Sequence, residues 1–133
     1  GQTIGEVLLH PTAIYVKEIL SLLKNIEVHG LAHITGGGLR NLNRLNASVQ
    51  YDINNPFTPQ DIFSFLQKLG NIDDKEMYQT FNMGMGFAVI VPSSVKDEAM
   101  RLLTEHSSYE VKHVGSVKKG SGVSLPSKNL IFS

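Results

Sequence analysis

Cysteine is absent from the chain, which excludes a disulfide framework and thiolate ligation of a metal. Packing must therefore hold the fold, and such a chain fits a reducing compartment. Neither sign of charge is in excess: Lys+Arg and Asp+Glu each number 12, and the formal net charge is zero. That balance argues against the long-range positive field of proteins that bind nucleic acids or anionic membranes, and leaves room for a local anion site. Long apolar runs are also missing. The most continuous, Gly86 to Val91, falls far short of the roughly 20 residues that span a bilayer. The first residues show no basic segment followed by an apolar stretch. The chain reads as soluble and untargeted, with neither nucleic acid nor membrane as a partner. What is present, 133 residues of which 41% are hydrophobic, suffices for one compact core, so residues 1–133 are expected to form a single domain.

Local patterns divide the chain into interleaved helices and strands. Pro11 and Thr12 open a helix expected to reach about Lys24, with Val16, Leu20 and Leu23 on its buried face. Val28 to Ile34 reads as a strand running into Gly36, Gly37 and Gly38. Leu39, Leu42 and Leu45 then mark a short amphipathic helix. Val49, Tyr51 and Ile53 alternate with polar residues, as a half-buried strand does. Thr58 as N-cap and Gly70 as the residue after the last turn bracket a helix over Pro59 to Leu69. After a polar turn and a Met- and Gly-rich approach, Phe87 to Val91 reads as a central strand. Ser94 and Asp97 cap a helix ending near His106. Tyr109 to Val114, Gly115 to Lys118 and Asn129 to Phe132 read as strands. Interleaving without a strict βαβ rhythm predicts an α+β fold with a mixed sheet.

Two stretches carry the residue types that chemistry needs. In the first, His33, Ile34, Thr35, Gly36, Gly37, Gly38 and Leu39, glycines between a strand and a helix allow a sharp turn and bare N–H groups that can face a phosphate or carboxylate. A tight turn with no ligand explains the glycines equally well. The stretch is neither a P-loop nor a dinucleotide fingerprint. His33 stands where the strand should emerge near the same cleft, with a ring able to donate to a phosphate or move a proton near neutral pH. His29 and His33, four apart, would lie about 13 Å apart along a strand, so no metal pair is assigned. In the second stretch, Tyr78 to Gly86, Met77, Met83 and Met85 fit core packing. Asn82 and Gly84 require a hydrogen-bonding or conformational reason that core filling does not supply. No Asp-rich spacing suited to magnesium or calcium occurs.

Together, His33 to Gly38 with Asn41 and Arg44 behind them, and Glu76 to Gly86, resemble the phosphoribosylformylglycinamidine cyclo-ligase (aminoimidazole ribonucleotide synthetase) family, in its carboxy-terminal domain. Leu8 to Val16 resembles the entry to that domain, and the likeness runs over essentially the whole chain. The resemblance implies a three-layer α/β/α domain with a mixed sheet partly similar to a ferredoxin-like core. It also implies a missing amino-terminal domain that binds most of the nucleotide and makes a homodimer. The full-length enzyme would be a cytoplasmic ligase of purine biosynthesis, taking formylglycinamidine ribonucleotide and ATP with magnesium to aminoimidazole ribonucleotide. This domain would hold no cofactor or metal alone and would be inactive in isolation. His33 would assist charge or proton changes, Thr35, Gly36, Gly37 and Gly38 would bind phosphate, and Asn82 with Gly84 would line the cleft opposite. A stand-alone module binding a phosphorylated metabolite, or another ATP-using relative such as selenophosphate synthetase, is the alternative.

Overall fold

The fold is described by a computed structural model covering residues 1–133. Thr3 accepts from the Glu6 amide while Glu6 reaches back to the Thr3 amide, and this capping box starts a one-turn helix, α1 (Ile4–Leu8). Helix α2 (Val16–Asn25) follows only after an irregular stretch, so Pro11 and Thr12 lie outside it. Its orientation differs from the expected one. Val16, Leu20 and Leu23 are 60%, 53% and 45% exposed, whereas Leu22 is fully buried. The helix carries a second apolar stripe through Ile19, Leu22 and Ile26, and Leu22 packs with Ala99 and Leu102 of α5 (Lys96–His106). None of its helices is long and apolar enough to cross a membrane.

Strand β1 (Gly30–His33) leads through the glycines into a 3₁₀ helix, Gly38–Arg44, rather than an α-helix. Leucines spaced by three match the three-residue turn of a 3₁₀ helix, which places Leu39 and Leu42 together in the core. Strand β2 (Val49–Ile53) matches its expected span. Helix α3 (Asp61–Gly70) begins two residues late, with Gln60 at the cap position, so Thr58 does not cap it. Asn71 rather than Gly70 takes the left-handed position, at φ 50°. Gly70 serves packing instead: a Cβ there would lie 2.9 Å from the Ile72 side chain.

Helix α4 (Asp74–Thr80), capped by Asp73 accepting from the Glu76 amide at 2.8 Å, occupies part of the Met- and Gly-rich segment. Strand β3 (Phe87–Ile90) is not central, because it pairs only with β1, antiparallel, His33 opposite Phe87. Before α5 stands a 3₁₀ turn, Ser93–Val95, and Ser94 makes no capping bond. The segment 109–114 is not a strand. It is tied to the loop after β2 by Asn55 N–H to the Val114 carbonyl and Lys112 Nζ to the Pro56 carbonyl, at 3.0 and 2.8 Å.

Strands β4 (Gly115–Lys119), β5 (Gly122–Leu125) and β6 (Leu130–Phe132) complete a four-stranded sheet in the order β4-β2-β5-β6. Only β2 and β5 run parallel, so the sheet is mixed and the class is α+β. The strands divide between two sheets, and this order does not display the ferredoxin-like core that the resemblance implied. The main core joins both: Ala32, Ile34 and Ala88 from the ladder side meet Tyr51, Ile53, Val123, Leu125 and Phe132 from the sheet, with Met77, Met83 and Met85 filling between. A Leu or Met at such a site truncated to Ala typically costs about 2–5 kcal/mol.

Candidate functional site

The β1–β3 ladder brings the two unusual stretches side by side. The Ile34 amide extends the pairing by donating to the Gly86 carbonyl at 2.9 Å, so the chain leaves β1 into the glycines beside the point where Gly86 enters β3. Helix α4 closes over the far end of the loop. A Cβ on Gly38, whose φ is +52°, would lie 2.1 Å from the Tyr78 carbonyl oxygen and 2.8 Å from that of Phe81. Gly38 is therefore a packing glycine.

The loop conformation is set by Asn41, a 4% exposed amide among leucines. Its Nδ2 donates toward the carbonyls of Thr35, Gly36 and Gly38 at 3.2, 3.4 and 3.0 Å. No peptide bond in the chain is cis. In a trans peptide the N–H points opposite to the C=O. Turning the Thr35 and Gly36 carbonyls toward Asn41 thus turns the Gly36 and Gly37 N–H groups away from it. Neither amide bonds another backbone group. Gly37 reaches this arrangement at φ +99°, and Gly36 is exposed with nothing within 4 Å of where a Cβ would stand. Successive free N–H groups of this kind make an anion-binding concavity. The three glycines therefore differ in role: Gly36 leaves space, Gly37 supplies the left-handed turn and Gly38 admits α4.

His33 is exposed at the end of β1, with its ring centroid 6.0 Å from those of both Tyr15 and Phe87. The histidine nitrogens that bond within the chain are those of His10 and His29, the latter to Glu27 at 2.9 Å, so the His33 nitrogens remain available. Tyr15 completes an aromatic group with Phe87 and Tyr109. Burial first, and then the neighbouring Tyr109 phenol, pushes the Tyr15 phenol up, which keeps it a neutral donor. Its hydroxyl occupies the space over Gly86, where a Cβ would be 2.0 Å from it.

Asn82 and Gly84 sit in a turn on the other stretch. Asn82 Oδ1 accepts from the Gly84 amide, and the Asn82 carbonyl accepts from the Met85 amide, both at 3.0 Å. Met83 and Gly84 between them have φ of 49° and 91°, the signs of a type I′ turn. The turn gives both residues a conformational role, and no hydrogen bond links Asn82 to the glycine loop. A mainly apolar cavity of about 710 Å³ lies elsewhere, between the ladder and the four-stranded sheet. Tyr15, Ile53, Phe87 and Lys112 line it, and none of His33, Thr35 to Gly38, Asn82 or Gly84 does. No group of three His, Asp or Glu side chains with metal-binding geometry occurs.

Asn41 and Tyr15 are the participants that spacing alone left unassigned to the site. A signal for Asn41 existed: an amide within a leucine-spaced helix favours bonding to nearby backbone.

The chain is 46% identical over 123 residues to a phosphoribosylformylglycinamidine cyclo-ligase of Methanopyrus kandleri, covering 92% of this chain and 35% of that protein. It is 52% identical over 102 residues to the enzyme so named in Methanosarcina mazei, covering 77% and 30% respectively. With that of Methanococcus maripaludis strain C7 it shares 44% over 130 residues, 96% of this chain and 36% of that protein. The chain thus spans about a third of the length of the curated relatives it matches. Residues 1–128 match the family model described as AIR synthase related protein, C-terminal domain, and the chain belongs to that family.

Proposed function

We propose that this chain is the carboxy-terminal domain of an ATP-dependent cyclo-ligase that converts formylglycinamidine ribonucleotide to aminoimidazole ribonucleotide in de novo purine biosynthesis. The observation that carries the reading is the pair of outward Gly36 and Gly37 amides beside His33, in a chain whose relatives bear the cyclo-ligase name. In this reaction the formyl oxygen attacks the γ-phosphorus of ATP, releasing ADP. The amidine nitrogen then adds to the activated carbon, a proton leaves the nitrogen, and the C–O bond breaks to expel phosphate as the ring closes. Negative charge passes across the phosphoryl oxygens in both steps, and preset N–H donors stabilise it without reorganisation.

Gly36 and Gly37, with Thr35 and Gly38 fixing the loop, hold the phosphate. His33 donates to it or takes up the nitrogen's proton. Asn82 and Gly84 shape the neighbouring edge through their turn. A magnesium ion does not fit this chain's own side chains, which offer no grouped carboxylates. By the family resemblance, magnesium and most nucleotide contacts would fall to an amino-terminal domain, which would also make a homodimer in the cytoplasm. ATP and the ribonucleotide are shared across the two domains.

The test is reconstitution with that amino-terminal domain, following ADP and aminoimidazole ribonucleotide together. Both products are expected only from the mixture, and replacing His33 with Ala should lower turnover more than tenfold. Turnover by this chain alone would contradict the reading. A mixture that binds a phosphorylated metabolite but forms no product would favour a binding module.

A further inference from the structure

We propose that residues 110–117 form a strap that closes onto the free edge of β3, joining the two-stranded ladder and the four-stranded sheet into one six-stranded sheet. This inference does not rest on the reaction assigned above.

Each sheet has an unpaired strand at its end, β3 in the ladder and β4 in the other. In β3, the Gly86 and Ile90 carbonyls accept from the Ile34 and His29 amides, so these residues turn their backbone groups toward β1. The backbone groups of Phe87 and Val89 therefore turn the opposite way. Both unpaired strands border the apolar cavity of about 710 Å³, which is lined without a break by Phe87 to Val91 and by Glu110 to Val117. Such a space is far larger than the voids of a packed interior.

The strap has backbone groups to spare. None of the amides of residues 110–114 donates to another backbone group. The bonds to the loop after β2 use only the His113 and Val114 carbonyls and the Lys112 ammonium. One end of the segment already meets the ladder: the Tyr109 ring lies 5.3 Å from that of Tyr15, and the Tyr15 ring 5.1 Å from that of Phe87, the first residue of β3. Its other end runs into β4. Strand β3, helix α5 and the strap thus follow one another as strand, helix and strand, the connection by which parallel neighbours are made. Parallel pairing across the cavity gives partners to both rows of backbone groups and removes the void.

The experiment is NMR on the ¹³C,¹⁵N-labelled chain, following contacts between residues 87–91 and 110–117 and the exchange of the Val89 amide. Short inter-strand contacts and a protected Val89 amide are expected. Glu110→Pro and Val111→Pro each remove an amide that donates to no backbone group in the open arrangement. Adjacent residues of a strand turn to opposite edges, so one of the two removes a bond of the closed sheet. That variant should lose the contacts and exchange Val89 roughly tenfold faster. Contacts between β2 and β4, with the melting curve, check that the fold persists. Absence of the inter-strand contacts in the parent chain would overturn the proposal, as would contacts and exchange that neither proline alters. Contacts found only between differently labelled copies would assign the edge to a second molecule and overturn it as well.

Discussion

The loop at residues 35–38 and the turn at residues 82–85 both carry glycine with positive φ next to a strand of the same ladder, yet they use their polar groups in opposite ways. In the turn, the Asn82 side chain and carbonyl accept from the Gly84 and Met85 amides, so its donors are consumed internally. In the loop, Asn41 gathers the carbonyls, and the Gly36 and Gly37 amides are left pointing outward. Glycine content does not distinguish a binding loop from a structural turn. The direction of the N–H groups does.

The largest effect on this comparison should come from Gly38→Ala. The new methyl would meet the Tyr78 carbonyl at 2.1 Å in a left-handed conformation. Overpacking and backbone strain together should cost roughly 3 kcal/mol or more, read as a lowered denaturant midpoint. A midpoint within 1 kcal/mol of the parent would mean that α4 does not clamp the loop as described.

Asn41→Ala and Asn82→Ala then test the contrast directly. Losing Asn41 strips the donor from three carbonyls, and should cost about 1–3 kcal/mol together with a clear drop in phosphate affinity. Losing Asn82 removes one Asx bond, for about 0.5–1.5 kcal/mol, and should weaken phosphate binding less. Equal losses of affinity in the two variants would erase the distinction between loop and turn.

The smallest effect is electrostatic. Asp74 accepts from Gln67 Nε2 at 2.7 Å and pairs with Lys128 at 3.0 Å, tying α3, α4 and the 126–128 turn. The Gln67 bond first, and then Lys128, hold the Asp74 carboxyl below its ordinary value of 3.8. The native state therefore binds its proton less readily than the unfolded chain. The resulting stability is present above the ordinary carboxylate value and is lost as pH falls through the lowered native one. Being partly exposed, the pair should contribute under about 1 kcal/mol. Asp74→Asn should flatten the acid limb of a stability-versus-pH curve slightly, and an unchanged limb would remove the bridge from the account.

Several elements were legible in the residues because local forces decide them. Strand β2 matched its expected span, though Asp52 is buried along with Tyr51 and Ile53, and α5 and β6 were found within one residue at each end. The likeness to the cyclo-ligase family rested on the same two stretches that the ladder aligns. The misreadings share a physical origin. Helix α2 is apolar on two faces, and only the presence of α5 selects Leu22 over Leu20 for burial. Residues 109–114 have strand-forming composition but no neighbouring strand to pair with, so three hydrogen bonds to the loop after β2 hold them instead.

Composition, alternation and the glycine placement thus specified the α+β class and a candidate anion loop, since propensity and backbone freedom are properties of short segments. Tertiary structure alone assigned separate tasks to Gly36, Gly37 and Gly38, and made Asn41 the residue that aims the amides. Those assignments depend on which carbonyls and helices lie across from each atom, and such neighbours are distant in the chain or hidden by its local spacing.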